Sequence, residues 1–259
     1  MEETKIWVPC LKGWRAEIGL LAPVPGMYRE YDYVTPEGVR FAKAPLGLIG
    51  GATPEGLKEM NNNIEIEAKK LNNAYTCDLI CLGCTSGSFV GGEGYDQQII
   101  ERIEKASGSP GTTTITCVLE LLKDMGIKRL ALVGPYIDEV FDAEVKFFHS
   151  HGIEALYVKG SGLGIVTPED FRVYSMDPYV GYRLVKEGAA AYPSADCVFL
   201  TCMVSPMLGV ADILEQEIGK PVISSLSATL YGILKKVGIP DPVPYYGEAL
   251  RRPRLPHQQ

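Results

Sequence analysis

This sequence nearly repeats itself, and that constrains its fold more than any other feature. Asp78-Leu-Ile-Cys-Leu-Gly-Cys84 and Asp196-Cys-Val-Phe-Leu-Thr-Cys202 are apolar runs of strand length, each opened by an aspartate and closed by a cysteine six positions later. They stand 118 residues apart. Three more matches fall in the same order: Ala22-Pro23 with Gly134-Pro135, Thr53-Pro54-Glu55 with Thr167-Pro168-Glu169, and Gly108-Ser109-Pro110 with Gly219-Lys220-Pro221, at offsets of 112, 114 and 111. One short match is chance, as a third Thr-Pro-Glu at Thr35 shows by having no counterpart. Four in one order imply two similar lobes related by a pseudo-twofold.

Apolar runs alternate with helical periodicity, the pattern of parallel α/β sheets. The strands are expected at Ile18–Leu21, Val39–Ala42, Leu79–Leu82, Leu130–Val133, Ala155–Val158, Cys197–Leu200 and Val222–Ser224. The clearest helix has its apolar stripe at Leu57, Met60, Ile64, Ala68, Leu71 and Tyr75, with Thr53 as N-cap and Pro54 at the first helical position. Gly126, Gly152, Gly219 and Gly238 stand where helices end. We expect a first α/β lobe over 1–111 plus 226–259 and a second over 112–225, the final helix from about Ser227 packing back on the first lobe.

At 259 residues either lobe has enough chain for a core. The net charge of −7 comes without any basic stripe, which excludes nucleic acid as the expected partner. The acidic start at Glu2 and Glu3 does not read as a signal peptide, and no apolar run approaches the ~18 residues of a membrane helix. A cytoplasmic protein is expected. Seven cysteines, an odd number, are then expected to be free thiols, each by default a small buried hydrophobe.

Two of them depart from that default. Ligands of parallel α/β units bind outside the carboxyl ends of the strands. Cys84 and Cys202 both fall there, whereas Cys81 and Cys197 lie within strands, Cys117 within a helix, Cys77 at a helix–strand junction and Cys10 in the N-terminal extension. The pseudo-twofold carries both strand-end thiols to one interlobe cleft, facing a bound molecule from opposite sides. Nearby helix N-termini are expected to lower their pKa from ~8.5 toward neutrality. The neighbours Thr85, Ser86, Gly87 and Ser88, and Thr201, Met203, Val204 and Ser205, offer hydroxyls and turn N–H groups to a carboxylate or an enediolate, or simply cap the next helices. Other motifs carry less. Cys81-Leu-Gly-Cys84 has no second pair for zinc, His149, His151 and His257 form no dyad with a thiol, and Gly160-Ser-Gly162-Leu-Gly164 lacks dinucleotide-loop spacing.

The strand–Cys-Thr and strand–Thr-Cys elements resemble the aspartate/glutamate racemase superfamily, and within it the arylmalonate decarboxylase and maleate cis-trans isomerase group. The resemblance runs from about Glu17 to Gly247. It is most specific at Gly83–Phe89, Thr112–Leu122, Arg129–Val140 with Pro135-Tyr136-Ile137-Asp138, and Pro221–Ser225. It implies two Rossmann-like (flavodoxin-like) lobes with the active site between them, no metal or cofactor, and a small carboxylate substrate. By position it implies that Cys202 exchanges the proton at Cα and that Cys84 is the first-lobe thiol of racemases and isomerases, where the decarboxylases have glycine. Thr85, Ser86, Tyr136 and the Cys202–Met203 backbone match the carboxylate site, Pro23 lies on the loop after the first strand, and Thr201 and Val204 flank the second cysteine. Ala22–Gly26 and Cys202–Val204 offer nothing to an ammonium group, which disfavours amino acids. The first loop also lacks the asparagine of maleate isomerases.

The reading favoured by the sequence is a cofactor-independent isomerase or racemase of a small carboxylic acid, working with both thiols. The alternative is an arylmalonate-type decarboxylase using Cys202 alone. From another class, a two-lobed carboxylate-binding protein is disfavoured, since such modules are secreted or fused to regulators. Homo-oligomerisation is left open.

Overall fold

Along each central strand the side chains alternate between two apolar faces, so each sheet must be covered on both sides. The computed structural model describes residues 12–24, 28–162 and 177–252. Its first half runs β1 (Ala16–Ala22), α1 (Tyr31–Val34), β2 (Val39–Pro45), α2 (Pro54–Met60), α3 (Ile64–Tyr75), β3 (Leu79–Leu82), α4 (Thr85–Phe89), α5 (Tyr95–Ser107), β4 (Gly111–Thr113) and α6 (Thr114–Met125). The second runs β5 (Arg129–Gly134), α7 (Asp138–Ser150), β6 (Glu154–Gly160), α8 (Pro178–Ala191), β7 (Cys197–Leu200), α9 (Ala211–Ile218), β8 (Val222–Ser224), α10 (Ser225–Lys236) and α11 (Glu248–Arg251). None of the helices among the described residues is long and apolar enough to cross a membrane.

Two four-stranded sheets result, ordered β2-β1-β3-β4 and β6-β5-β7-β8, with every pairing parallel. The orders are the same under the repeat. The matched words of the sequence make matched bonds. The Asp78 carboxylate accepts from the Glu17 N–H at 2.8 Å, and the Asp196 carboxylate from the Arg129 N–H at 2.9 Å. The N–H groups of Asp78 and Asp196 donate back to the carbonyls of Glu17 and Arg129, both at 2.8 Å. At the other strand ends, Gly83 N–H reaches Leu21 O and Thr201 N–H reaches Val133 O, again both at 2.8 Å. Thr113 caps α6 and Ser224 caps α10 in the same way.

The strand faces sort into three apolar clusters. Ile18, Leu20, Leu79 and Cys81 of the first sheet and Leu130, Leu132, Cys197 and Phe199 of the second share one core with α6, α7 and α10. Leu21, Ile80 and Leu82 face α2, α3 and α5 on the far side of the first sheet. Ala131, Val133, Val198 and Leu200 face α8 and α9 on the far side of the second. The helices α6 and α10 pack on each other in the middle layer.

All seven expected strands are present, three of them with the expected limits. The eighth, β4, is three residues of Gly-Thr-Thr with no apolar pattern to betray it. The expected helix from Pro54 to Tyr75 is broken at Asn61–Asn63 by a 3-10 turn. There the Asn61 side chain donates to Gly87 O at 2.8 Å and that of Asn63 to Leu46 O at 2.8 Å, bonds that a continuous helix would not aim the same way. Gly126 and Gly219 end α6 and α9 at φ of +69° each, a conformation that glycine adopts without a Cβ clash. The expected helix start at Thr167, and Cys10, Pro25, Gly26, Gly164 and His257, lie outside the described residues.

Candidate active site

In both sheets the strand order reverses between the central pair, β1/β3 and β5/β7, and ligands of such sheets bind at the carboxyl ends of these strands. Cys84 follows β3 through Gly83. A Cβ on Gly83 would sit 3.0–3.1 Å from Leu20 and Tyr28, so glycine lets the Tyr28 ring close over this turn. The Tyr28 hydroxyl donates to the Gly83 carbonyl. Cys84 is the N-cap of α4: its Sγ accepts from Gly87 N–H at 3.3 Å and lies 3.8 Å from Ser86 Oγ.

Cys202 follows β7 through Thr201, but no helix starts there; the chain turns, with Ser205 N–H on the Cys202 carbonyl at 3.2 Å. Cys202 itself is held at φ +81°, left-handed backbone that a side chain rarely adopts. The Val204 N–H and the Tyr136 hydroxyl lie beside its thiol and favour its ionised form. Ser86 lies close enough to Tyr136 to favour its ionised form. The Ser86 and Tyr136 hydroxyls, one from each lobe, thus stand close to the two thiols.

The electrostatics contradict one expectation. Burial pushes the Cys84 thiol up to about 11, against the opposing pull of Gly87 N–H and Ser86. Burial, then the charge of Cys84, pushes Cys202 up to about 12, although Val204 N–H and Tyr136 favour its thiolate. The five-residue α4 and a turn without a helix are too little to offset desolvation. Burial thus favours the protonated form of both sulfurs at neutral pH.

The sequence-predicted residues divide in two. Cys84, Ser86, Tyr136, Cys202 and the Val204 N–H come together at the carboxyl ends of β3, β5 and β7. Three others turn their side chains elsewhere: Thr85 Oγ1 donates to Ser225 Oγ at 2.9 Å, Met203 Sδ accepts from Thr229 Oγ1 at 3.4 Å, and Thr201 Oγ1 donates to Glu144 at 2.7 Å. These fasten the two cysteine turns to α10 and α7. Pro23 is buried after β1, its carbonyl accepting from Gly47 and Leu48 N–H at 3.0 Å. Cys81, Cys117 and Cys197 are fully buried and Cys77 nearly so.

Two residues escaped the sequence reading. Tyr28, at φ +64°, is buried within electrostatic reach of both Cys84 and Cys202. Only its place on the loop after β1 hinted at this. Glu144 lies behind Thr201, and its signal was legible: a carboxylate on the apolar stripe Val140, Phe141, Phe147, Phe148 of α7.

The model of the arylmalonate decarboxylase family matches residues 18–250. The chain is 29% identical over 199 residues to arylmalonate decarboxylase of Bordetella bronchiseptica, covering 76% of this chain and 80% of that protein. It is 25% identical over 204 residues to a maleate isomerase of Geobacillus stearothermophilus, covering 76% and 78%. Among solved structures, a liganded double mutant of arylmalonate decarboxylase superposes with a TM-score of 0.83 at 26% identity, over 91% of this chain and 98% of that one. A Nocardia farcinica maleate cis-trans isomerase mutant with a covalently bound succinylcysteine intermediate shares the fold, with a TM-score of 0.79 at 22% identity over 91% and 98%. With 18–250 matched end to end and the two-lobed fold in common, this chain belongs to the arylmalonate decarboxylase family.

Proposed function

We propose that this chain isomerises or racemises a small carboxylic acid that lacks an amino group, using Cys84 and Cys202 from opposite sides. The observation that carries this reading is a thiol from each lobe at the strand ends, near enough to feel each other's charge, with the Ser86 and Tyr136 hydroxyls beside them. Hydroxyls and the Val204 N–H are donors suited to a carboxylate and to the enediolate made from it.

In the racemising form one sulfur, as thiolate, removes the α-proton, and the electron pair of the C–H bond moves into the enediolate. The other, as thiol, returns a proton to the opposite face. In the isomerising form the Cys84 thiolate adds to the double bond, and the π pair moves to the adjacent carbon and its carboxylate. The single bond rotates, and expulsion of the thiolate restores the alkene; Cys202 supplies and recovers a proton if the intermediate is protonated. Either form needs one thiolate, so substrate binding has to stabilise an anion that burial disfavours.

The upward push of burial on both thiols favours a second reading. Two protonated thiols suit an acid better than a base, and decarboxylation of a disubstituted malonate needs only the acid. Carbon dioxide leaves with cleavage of the C–C bond, and the Cys202 S–H protonates the enediolate. Proton NMR in D₂O with maleate, a 2-arylpropionate, hydantoins and an aryl-methylmalonate separates the two. Fumarate, or α-deuterium with loss of optical purity, is the outcome expected of two-thiol chemistry. Carbon dioxide release from the malonate alone would hand the function to the decarboxylase reading.

A further inference from the structure

Glu144 is a carboxyl group that the chemistry above does not use and that its surroundings do not neutralise. It is fully buried on the inner face of α7. One oxygen accepts from Thr201 Oγ1 at 2.7 Å, and the other is buried without a partner. Among the described residues no lysine, arginine or histidine pairs with it. A bare carboxylate in such a place is costly, and a proton on the unpaired oxygen removes the charge. Its connection to the site is short: Thr201 immediately precedes Cys202, and Ser205 Oγ donates to the Thr201 carbonyl at 3.1 Å, closing the turn.

We propose that Glu144 is the positioning residue of the Cys202 thiol, a neutral carboxyl group that anchors the Thr201–Cys202 turn and whose ionisation opposes the neighbouring thiolate. This rests on the reading that Cys202 reacts as a thiol. Thr201 lies at the end of a strand and Cys202 at φ +81°, so a fixed side-chain anchor on one holds the other in a conformation that it does not prefer. Burial raises the Glu144 carboxyl to about 8, with the Thr201 hydrogen bond pulling the other way.

The titratable groups that face it are Cys202 and Tyr136, each of which feels its charge, with Cys84 beyond them on α4. On α7 itself Asp138, Glu139, Asp142, Lys146 and His149 are exposed on the other side. On β6, Tyr157 and Lys159 pair with Glu187. On the chain after Cys202, Leu208 N–H donates to Glu30, a half-buried carboxyl raised to about 7; Glu144 is the carboxyl whose charge Cys202 feels, and the Glu144→Gln comparison isolates its part. A proton leaves Glu144, the second negative charge nearby disfavours the thiolate, and the thiol becomes harder to ionise.

The test is peptide-resolved alkylation of the native protein with iodoacetamide between pH 6 and 10, comparing wild type, Glu144→Gln and Thr201→Val. Wild type and Glu144→Gln are expected to label Cys202 at the same rate below pH 7. Above pH 8 the wild type should fall behind by roughly tenfold, the effect of about one pKa unit. Thr201→Val removes the bond that favours the carboxylate, so its lag should begin at higher pH. Parallel profiles for wild type and Glu144→Gln across the range would overturn the proposal. Should Glu144→Gln not fold, a Thr201→Val profile superimposable on wild type would overturn it equally. Labelling does not depend on turnover, so full activity in Cys202→Ala would count against the proposed function and not against this coupling.

Discussion

Cys202 offers a way to separate what the site costs the fold from what it does. Its φ of +81° places it in left-handed backbone, where an L-residue costs roughly 1–2 kcal/mol. Glycine at this position relieves that cost but adds about 0.5–1 kcal/mol of unfolded-chain freedom. Alanine relieves nothing. Both substitutions delete the sulfur and its contacts with Val204 and Tyr136, so the difference between them isolates the backbone. Cys202→Gly should therefore be more stable than Cys202→Ala by about 1 kcal/mol. Cys197, fully buried within β7, is the control of opposite sign. There Gly should be less stable than Ala by about 0.5–1 kcal/mol, because a strand interior penalises glycine. Urea denaturation of the four variants under reducing conditions, followed by far-UV circular dichroism, reads both differences. If Cys202→Ala equals or exceeds Cys202→Gly while the Cys197 pair keeps its sign, strain at the second thiol is refuted.

Other outcomes follow from single bonds. Glu144, raised to about 8 in the fold against ~4.3 unfolded, contributes stability that is complete below pH ~4 and is lost as pH rises through about 8. The stability of Glu144→Gln relative to wild type should therefore grow between those limits, by up to a few kcal/mol; a difference independent of pH would contradict the buried neutral carboxyl. Asp78→Ala removes the acceptor for Glu17 N–H at the start of β1 and should cost about 1–3 kcal/mol in the same denaturation assay. Tyr136→Phe removes a hydroxyl that stands beside both Ser86 and Cys202, so turnover should fall roughly 10- to 1,000-fold with the melting temperature little changed. An unchanged kcat would remove Tyr136 from the machinery.

Much of this was legible in the chain because the repeat is written in its bonds. The aspartates six residues before each cysteine accept the same kind of N–H, and the strand-end glycine and threonine make the same bond to β1 and β5. Polar residues that act only through local bonds were harder to place. Asn61 and Asn63 break a helix that periodicity alone extends, and the Gly-Thr-Thr of β4 carries no apolar signal. Thr85, Thr201 and Met203 stand beside the cysteines in sequence yet point their side chains into α10 and α7. Adjacency along a chain does not fix direction after a turn. The thiols illustrate a contest of magnitudes: helix-end dipoles argued for acidic cysteines, and burial, the larger effect here, reverses the sign.

The measurement that bears most directly on function is turnover by Cys84→Ala and Cys202→Ala, each assayed in D₂O on whichever panel compound the wild type converts. Two-thiol chemistry predicts that both variants lose turnover while keeping wild-type circular dichroism and melting. Full activity in Cys84→Ala would contradict it and leave Cys202 as the sole acid of a decarboxylase.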